Sequence, residues 1–217
     1  ARQELQGMYA MADNLDFNVG RIVSALRKSE QLENTHILYF SDHGDMHGSH
    51  GQFKKMTCYQ ESIHIPFIIA GEQPQHYNHR GVGRALAPLN HVDIAPTTLG
   101  LCGIDKADWM EGTDYSGYRI KDRPAAEEPG SAYLQSVIPT GHGDSVNKPW
   151  RGVVTDDGWK YTCFENVSWA MFNLSEDQYE QVNLAHNSKY RAERKKLIGL
   201  LNSWIDQTGD AFPVPED

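Results

Sequence analysis

Apolar residues in the first half of the chain change their spacing in an order that predicts helix, strand, loop and strand. The runs HILYF (36–40) and IPFIIAG (65–71) are short and apolar, as buried strands are. HVDIAPTTLGLCGI (91–104) predicts a short helix with Asp93 near its start and Gly103 beyond its end. Before them, seven apolar residues share one face of a predicted amphipathic helix: Met8, Met11, Leu15, Val19, Ile22, Val23 and Leu26.

The second half of the chain has a different pattern. Polar residues 105–130 are punctuated by Pro and Gly and predict a surface connection. After them, the short β-prone runs WRGVVT and WKYTCF flank Asp156-Asp157-Gly158, a strong hairpin signal. A last helix is predicted over roughly 188–207. We therefore expect an α/β unit over residues 1–130 and an α+β subdomain over 131–217, with a small antiparallel sheet packed by one helix.

Composition and charge exclude several functions. The chain has 20 Lys and Arg against 29 Asp and Glu, and a net charge of −9 argues against a nucleic-acid partner. Its longest apolar runs are too short to predict a membrane span. The cysteines Cys58, Cys102 and Cys163 lack zinc-site spacing. One bridge with one free thiol is an alternative, but we expect three buried, reduced thiols.

The stretch SDHGDMHGSHGQFKK, residues 41–55, carries the candidate chemistry. Ligand sites of open α/β sheets gather beyond the C-terminal ends of strands, and this loop follows such an end. Asp42 and His43 offer a carboxylate beside an imidazole, a pair that suits a divalent cation. Lys55 lies far enough along for the loop to return and direct its ammonium at a bound anion. A hydrogen-bonded turn and a solvated surface lysine are the ordinary alternatives, and spacing alone leaves both open.

Longer motifs around this loop resemble those of the sulfatase family of the alkaline-phosphatase-like superfamily. Residues 41–55 are similar to its pattern S-D-H/N-G-x-x-x-G-x-H-G-x-x-x-K, and residues 91–104 to its D-I-x-P-T-x-L-x-x-x-G segment. MFNLSEDQYEQVNLA (171–185) resembles a C-terminal phrase, L-x-D-P-x-E-x-x-N-L. The chain departs from the family at His64, often Arg, and at Gln178, often Pro. The resemblance implies an α/β fold that is part of an alkaline-phosphatase-like sheet with covering helices.

The same resemblance implies roles for individual residues. Asp42 and His43 would ligate a divalent metal, most often Ca²⁺, with Mg²⁺ or Mn²⁺ as alternatives. Lys55 would contact the sulfate and its bridging oxygen. His50 would line or support the site. Glu61 matches a position behind the loop, where an orienting role is expected.

The function implied is hydrolysis of a sulfate monoester by a formylglycine, which is made from the Cys or Ser of a C/S-x-P-x-R motif. The chain contains no such motif and starts without Met. We therefore expect the nucleophile and further metal ligands in an N-terminal part that precedes these residues, and no activity from this chain alone.

Family habit implies a small sulfate ester as the partner, either a sugar, an aryl or a choline sulfate, and favours a periplasmic or secreted location. Oligomeric state stays open. Two alternatives remain: a phosphonate or phosphate monoester hydrolase of the same superfamily, and a non-catalytic module that retains the fold.

Overall fold

The opening apolar pattern forms one long helix, α1, Arg2–Lys28. The architecture comes from a computed structural model that describes residues 2–71, 85–139, 141, 143 and 145–216. Arg27 and Lys28 place positive charge in the last turn of α1, where it offsets the partial negative charge of the helix end. The predicted helix is confirmed, although no residue of it is buried by the described part of the chain.

Two short strands follow and pair antiparallel: β1, Ile37–Phe40, and β2, Phe67–Ala70. Both predicted strands are confirmed, but the expectation that they are buried is wrong. Phe40 is 44% exposed and Ile68 is 53% exposed. An apolar run predicts a face that packs, whereas burial depends on what the other elements place against it, and the described residues leave these side chains partly open.

Two helices flank the second strand in sequence: α2, Gln60–Ile63, before it and α3, Ile94–Leu101, after it. A single 3-10 turn, His91–Asp93, precedes α3 and begins with a capping box. In this box the backbone N–H of Asn90 donates to Asp93 Oδ2 at 2.7 Å. Gly103, two residues beyond the end of α3, has a φ of +76° and ends the helical segment. The predicted helix signals are confirmed. None of the described helices is long and apolar enough to cross a membrane.

The segment predicted to be a surface connection is partly internal, which corrects that expectation. Tyr115 and Ser116 are buried. Arg119, also buried, donates from Nη2 to the carbonyl of Gly71 at 2.7 Å. The backbone N–H of Tyr115 donates to the Thr97 hydroxyl at 3.1 Å. Residues 105–130 therefore brace α3 and the end of β2, because hydrogen bonds join their backbone and side chains to polar groups of these elements.

The C-terminal residues form a four-stranded antiparallel meander packed by one helix, as predicted. Its strands, in spatial as well as sequence order, are β3, Ser131–Ser136, β4, Trp150–Thr155, β5, Trp159–Phe164, and β6, Val167–Asn173. Helix α4, Arg191–Thr208, covers one face. The largest core cluster lies between them and includes Val153, Tyr161, Met171, Leu197 and Leu201.

All three cysteines are free thiols, so the alternative of a disulfide is wrong. Cys58 and Cys163 are buried as expected, but Cys102 is exposed. Cys102 follows the last residue of α3 and lies beyond its buried face.

Candidate active site

The candidate loop leaves β1 and folds back on itself around a buried methionine. The backbone N–H of Met46 donates to the carbonyl of Lys54 at 2.7 Å, and the Met46 side chain is buried. Three non-glycine residues of the loop, His47, His50 and Lys54, and Met56 directly after it have φ between +46° and +83°. Such conformations cost on the order of 1–3 kcal/mol each and persist only where other contacts impose them. Strain concentrated in one loop is a mark of functional segments.

Gly44 fixes the start of the loop against α2. Its N–H donates to the carbonyl of Ser62 at 2.8 Å. A Cβ at this position would clash with the carbonyl oxygen of Glu61. Only glycine allows this close backbone approach, and it holds the preceding residues at the end of β1.

The structure brings Asp42, His43 and Lys55 together, as the sequence predicts. Lys55 Nζ lies 2.7 Å from His43 Nε2, and Asp42 Oδ2 lies 3.3 Å from the same nitrogen. His43 Nδ1 lies 2.8 Å from the carbonyl oxygen of Gly44, so we assign the ring proton to Nδ1. Nε2 then presents a lone pair toward Lys55, which is also the orientation that a metal ligand needs.

The carboxylate of Asp42 suits a cation ligand. Desolvation is the largest single effect and raises its pKa, but the adjacent His43, the backbone N–H groups and the Ser41 hydroxyl together outweigh it and leave the pKa below its usual value. Asp42 is therefore ionised at neutral pH, and its side chain is 83% exposed. A hard anionic oxygen beside an imidazole nitrogen fits a divalent cation with further ligands from elsewhere.

His50 has different surroundings. Its ring stacks on Tyr59, with centroids 3.8 Å apart and planes 6° from parallel. Its ligand nitrogen belongs to a group with carboxylate oxygens of Glu61 and Glu180, and all three atoms lie within 4.8 Å of one another. In the described residues this group is the one set of three such side chains close enough to hold a metal ion.

That second group already contains a cation. The ammonium of Lys160 pairs with Glu180, and neither side chain is exposed by more than 1%. Glu61 accepts from the hydroxyl of Ser49. Because Lys160 already neutralises Glu180, the group fits a metal less well than Asp42 and His43 do.

Comparison with known proteins identifies the family. Residues 1–104 match the family model for Sulfatase. The chain is 32% identical to an ulvan-active sulfatase of Formosa agariphila over 98% of its length and 40% of that protein's. It is also 32% identical to arylsulfatase K of Danio rerio, over 91% of the chain and 36% of the relative. The chain belongs to the sulfatase family. It spans about 40% or less of the length of these curated sulfatases.

A solved structure gives the same result for the fold. BT4656, in complex with its substrate D-glucosamine-2-N,6-O-disulfate, matches with a TM-score of 0.74 and 29% identity. The match covers 91% of this chain and 39% of that one. The α/β fold predicted from the sulfatase resemblance is therefore confirmed.

Sequence reasoning did not predict two side chains that contact the end of the candidate loop. The indole N–H of Trp150 donates to the carbonyl of Met56 at 2.9 Å, and the hydroxyl of Ser145 donates to the carbonyl of Lys55. Ser145 lies in no recognisable motif, and although Trp150 begins the run WRGVVT, nothing in that run indicates a contact with the loop. Glu180 did have a signal, because it is the Glu of the C-terminal sulfatase phrase.

Proposed function

We propose that this chain contributes the C-terminal portion of a sulfatase active site and that the complete protein hydrolyses a sulfate monoester. The observation that carries the proposal is the convergence of Asp42, His43 and Lys55 at one end of β1. Family membership supports it, because relatives that match nearly the whole chain are named as sulfatases.

Each of the three residues has a proposed role. Asp42 and His43 Nε2 would hold a divalent cation, which we take to be Ca²⁺ and which would supply positive charge to the sulfate oxygens. Because the lone pair of Nε2 cannot serve both, the Lys55 ammonium would contact the anion when His43 holds a cation. Lys55 then stabilises the negative charge that develops on the bridging oxygen as the alcohol leaves. His50 supports the loop through its stacking on Tyr59.

The nucleophile is proposed to be a formylglycine supplied by another part of the protein, since the chain has no C/S-x-P-x-R motif. Under this proposal the 217-residue chain alone is inactive. The substrate class that we favour is a sulfated sugar. An ulvan-active sulfatase is among the relatives, and a similar solved structure holds a glucosamine disulfate.

A substrate comparison on the complete protein tests the proposal. The purified, Ca²⁺-loaded enzyme is assayed on 4-nitrophenyl sulfate, 4-nitrophenyl phosphate and a 4-nitrophenyl phosphonate ester, with glucosamine 6-sulfate and choline sulfate as further substrates. We expect kcat/KM for a sulfate ester to exceed that for either phosphorus ester. A dominant phosphonate activity would identify the other hydrolase class. A folded protein that cleaves none of the five would be a non-catalytic module.

A further inference from the structure

The C-terminal sheet holds the backbone of the segment that follows the loop, residues 55–60, which we name the Lys55 segment. Four side chains from the sheet and its connections form hydrogen bonds with backbone groups of four residues of this segment. Ser145 bonds to the carbonyl of residue 55, Trp150 to that of residue 56, Lys160 to that of residue 58 and Glu180 to the N–H of residue 60. The distances are 2.9 Å for Trp150, 2.6 Å for Lys160 and 2.7 Å for Glu180.

Two of these contacts come from a buried ion pair. Lys160 of β5 pairs with Glu180, which follows β6, and both side chains are almost completely excluded from solvent. Burial of a charged pair is costly unless further hydrogen bonds satisfy it, and here the Lys55 segment provides them. Glu180 also has φ of +53°, a conformation that a non-glycine residue keeps only when its contacts require it. The ion pair therefore depends on the Lys55 segment for its remaining hydrogen bonds, and it fixes the backbone of that segment in return.

The Lys55 segment needs such contacts. Lys55 lies between Lys54 and Met56, whose φ angles are +64° and +83°. Its own side chain is only half-buried. The next residues, Thr57 and Cys58, are fully buried, and Cys58 packs with Trp150 in a cluster on the sheet. The backbone on the C-terminal side of Lys55 is thus fixed from the sheet.

We propose that Lys160, Glu180 and Trp150 are positioning residues for Lys55 and that the C-terminal sheet sets where its ammonium lies. This inference rests on the proposed sulfatase function, in which Lys55 contacts the anion. A displacement of about 1 Å in a group of this kind can cost on the order of 10²-fold in rate. The sheet therefore takes part in catalysis through the backbone of another element.

A matched pair of tryptophan variants tests the proposal without removing a charge. Trp150→Phe keeps an aromatic ring and removes the bond to the Met56 carbonyl. Trp204→Phe is the control because its indole N–H donates to Ser131 Oγ at 2.9 Å, in the same subdomain but away from the Lys55 segment. In the complete enzyme we expect Trp150→Phe to lower kcat about tenfold with little change in KM. Trp204→Phe should stay within about twofold.

A second pair tests the ion pair itself. Glu180→Gln removes the charge opposite Lys160, and Asp210→Asn breaks another ion pair of the subdomain, formed with Arg151. Amide hydrogen exchange over residues 55–60 and acylation of the Lys55 amine are measured by mass spectrometry for every variant, together with melting temperature. We expect faster exchange and altered Lys55 acylation in Glu180→Gln and Trp150→Phe only.

The outcomes separate this inference from the function on which it rests. If the unmodified enzyme cleaves no sulfate ester, the proposed function fails, and exchange and acylation still report on the positioning. If Trp150→Phe and Glu180→Gln match their controls in exchange, acylation and kcat, the positioning role is overturned. A Glu180→Gln protein that does not fold leaves the Trp150→Phe comparison to decide.

Discussion

Nζ of Lys55 lies 2.7 Å from Nε2 of His43, which joins the two ends of a strained loop. His43 follows β1 almost directly, whereas Lys55 comes after the last turn of the loop. Because Nδ1 lies 2.8 Å from the Gly44 carbonyl, the lone pair of Nε2 is available to either an ammonium or a metal ion. The contact therefore brings the Lys55 ammonium next to a nitrogen that is proposed as a metal ligand.

Replacement of Lys55 by Ala should strongly reduce turnover of a sulfate ester by the complete enzyme. We expect kcat to fall by about 10²-fold or more, as when one preorganised charge-stabilising group is removed. The control is Lys54→Ala at the adjacent, exposed lysine. Steady-state rates of both variants check the prediction, and a Lys55→Ala enzyme as fast as the Lys54→Ala enzyme would contradict it.

Metal affinity distinguishes the two groups of ligand-type residues. Asp42→Asn removes a proposed ligand, and Glu61→Gln changes the group formed with His50 and Glu180. We expect Asp42→Asn to weaken Ca²⁺ binding by the complete protein at least tenfold, because an anionic oxygen is lost. Glu61→Gln should leave binding nearly unchanged. Calorimetric titration measures both, and the opposite ranking would assign the metal to the second group.

The 217-residue chain alone should bind Ca²⁺ weakly, since it provides only Asp42 and His43 of the proposed metal ligands. Titration up to millimolar Ca²⁺ should raise its melting temperature very little, because stabilisation by a ligand scales with the ratio of its concentration to Kd. A large shift at micromolar Ca²⁺ would show that this chain holds a complete site.

Local features of the fold were predictable because they depend on neighbouring residues. The spacing of apolar residues indicated α1, the Asp-Asp-Gly turn indicated the β4–β5 hairpin, and the adjacency of Asp42 and His43 indicated a shared orientation. Burial of β1 and β2 was not predictable, because an apolar pattern does not specify what covers it. The sequence also does not show that Lys160 reaches the carbonyl of Cys58, 102 residues away. The sequence around Lys160 does not distinguish a buried lysine from an exposed one.

Thiol labelling should separate the three cysteines. Burial raises the pKa of Cys58 to about 11 and that of Cys163 to about 12, so both are neutral thiols at neutral pH. The thiolate is the reactive species, and Cys102 alone is exposed. Iodoacetamide at pH 7.5 should modify Cys102 in the folded chain and all three cysteines after unfolding. Labelling of Cys58 as rapid as that of Cys102 in the folded chain would contradict the structure.

The pH dependence of stability should reveal the ion pair that ties the C-terminal residues to the sheet. Arg151 Nε donates to Asp210 Oδ2 at 2.5 Å, and the Tyr133 hydroxyl donates to the same oxygen at 2.7 Å. The bond from Arg151 is the main cause that lowers the pKa of Asp210 below its usual value. Hydrogen bonds to charged groups contribute about 1.5–3 kcal/mol, so Asp210→Asn should lower the melting temperature by several degrees at pH 7.

The sign of the pH effect follows from the lowered pKa. A carboxyl group that is more acidic when folded stabilises the fold above its unfolded pKa of about 3.9 and loses that contribution as pH falls through the folded pKa. The difference in melting temperature between the unmodified chain and Asp210→Asn should therefore be constant from pH 7 to about pH 5 and shrink below about pH 4. A matched scan of Asp206→Asn, on the exposed side of α4, controls for the loss of one negative charge. If the Asp210→Asn difference persisted unchanged at pH 2.5, the carboxylate of Asp210 would not be the acceptor that holds Arg151.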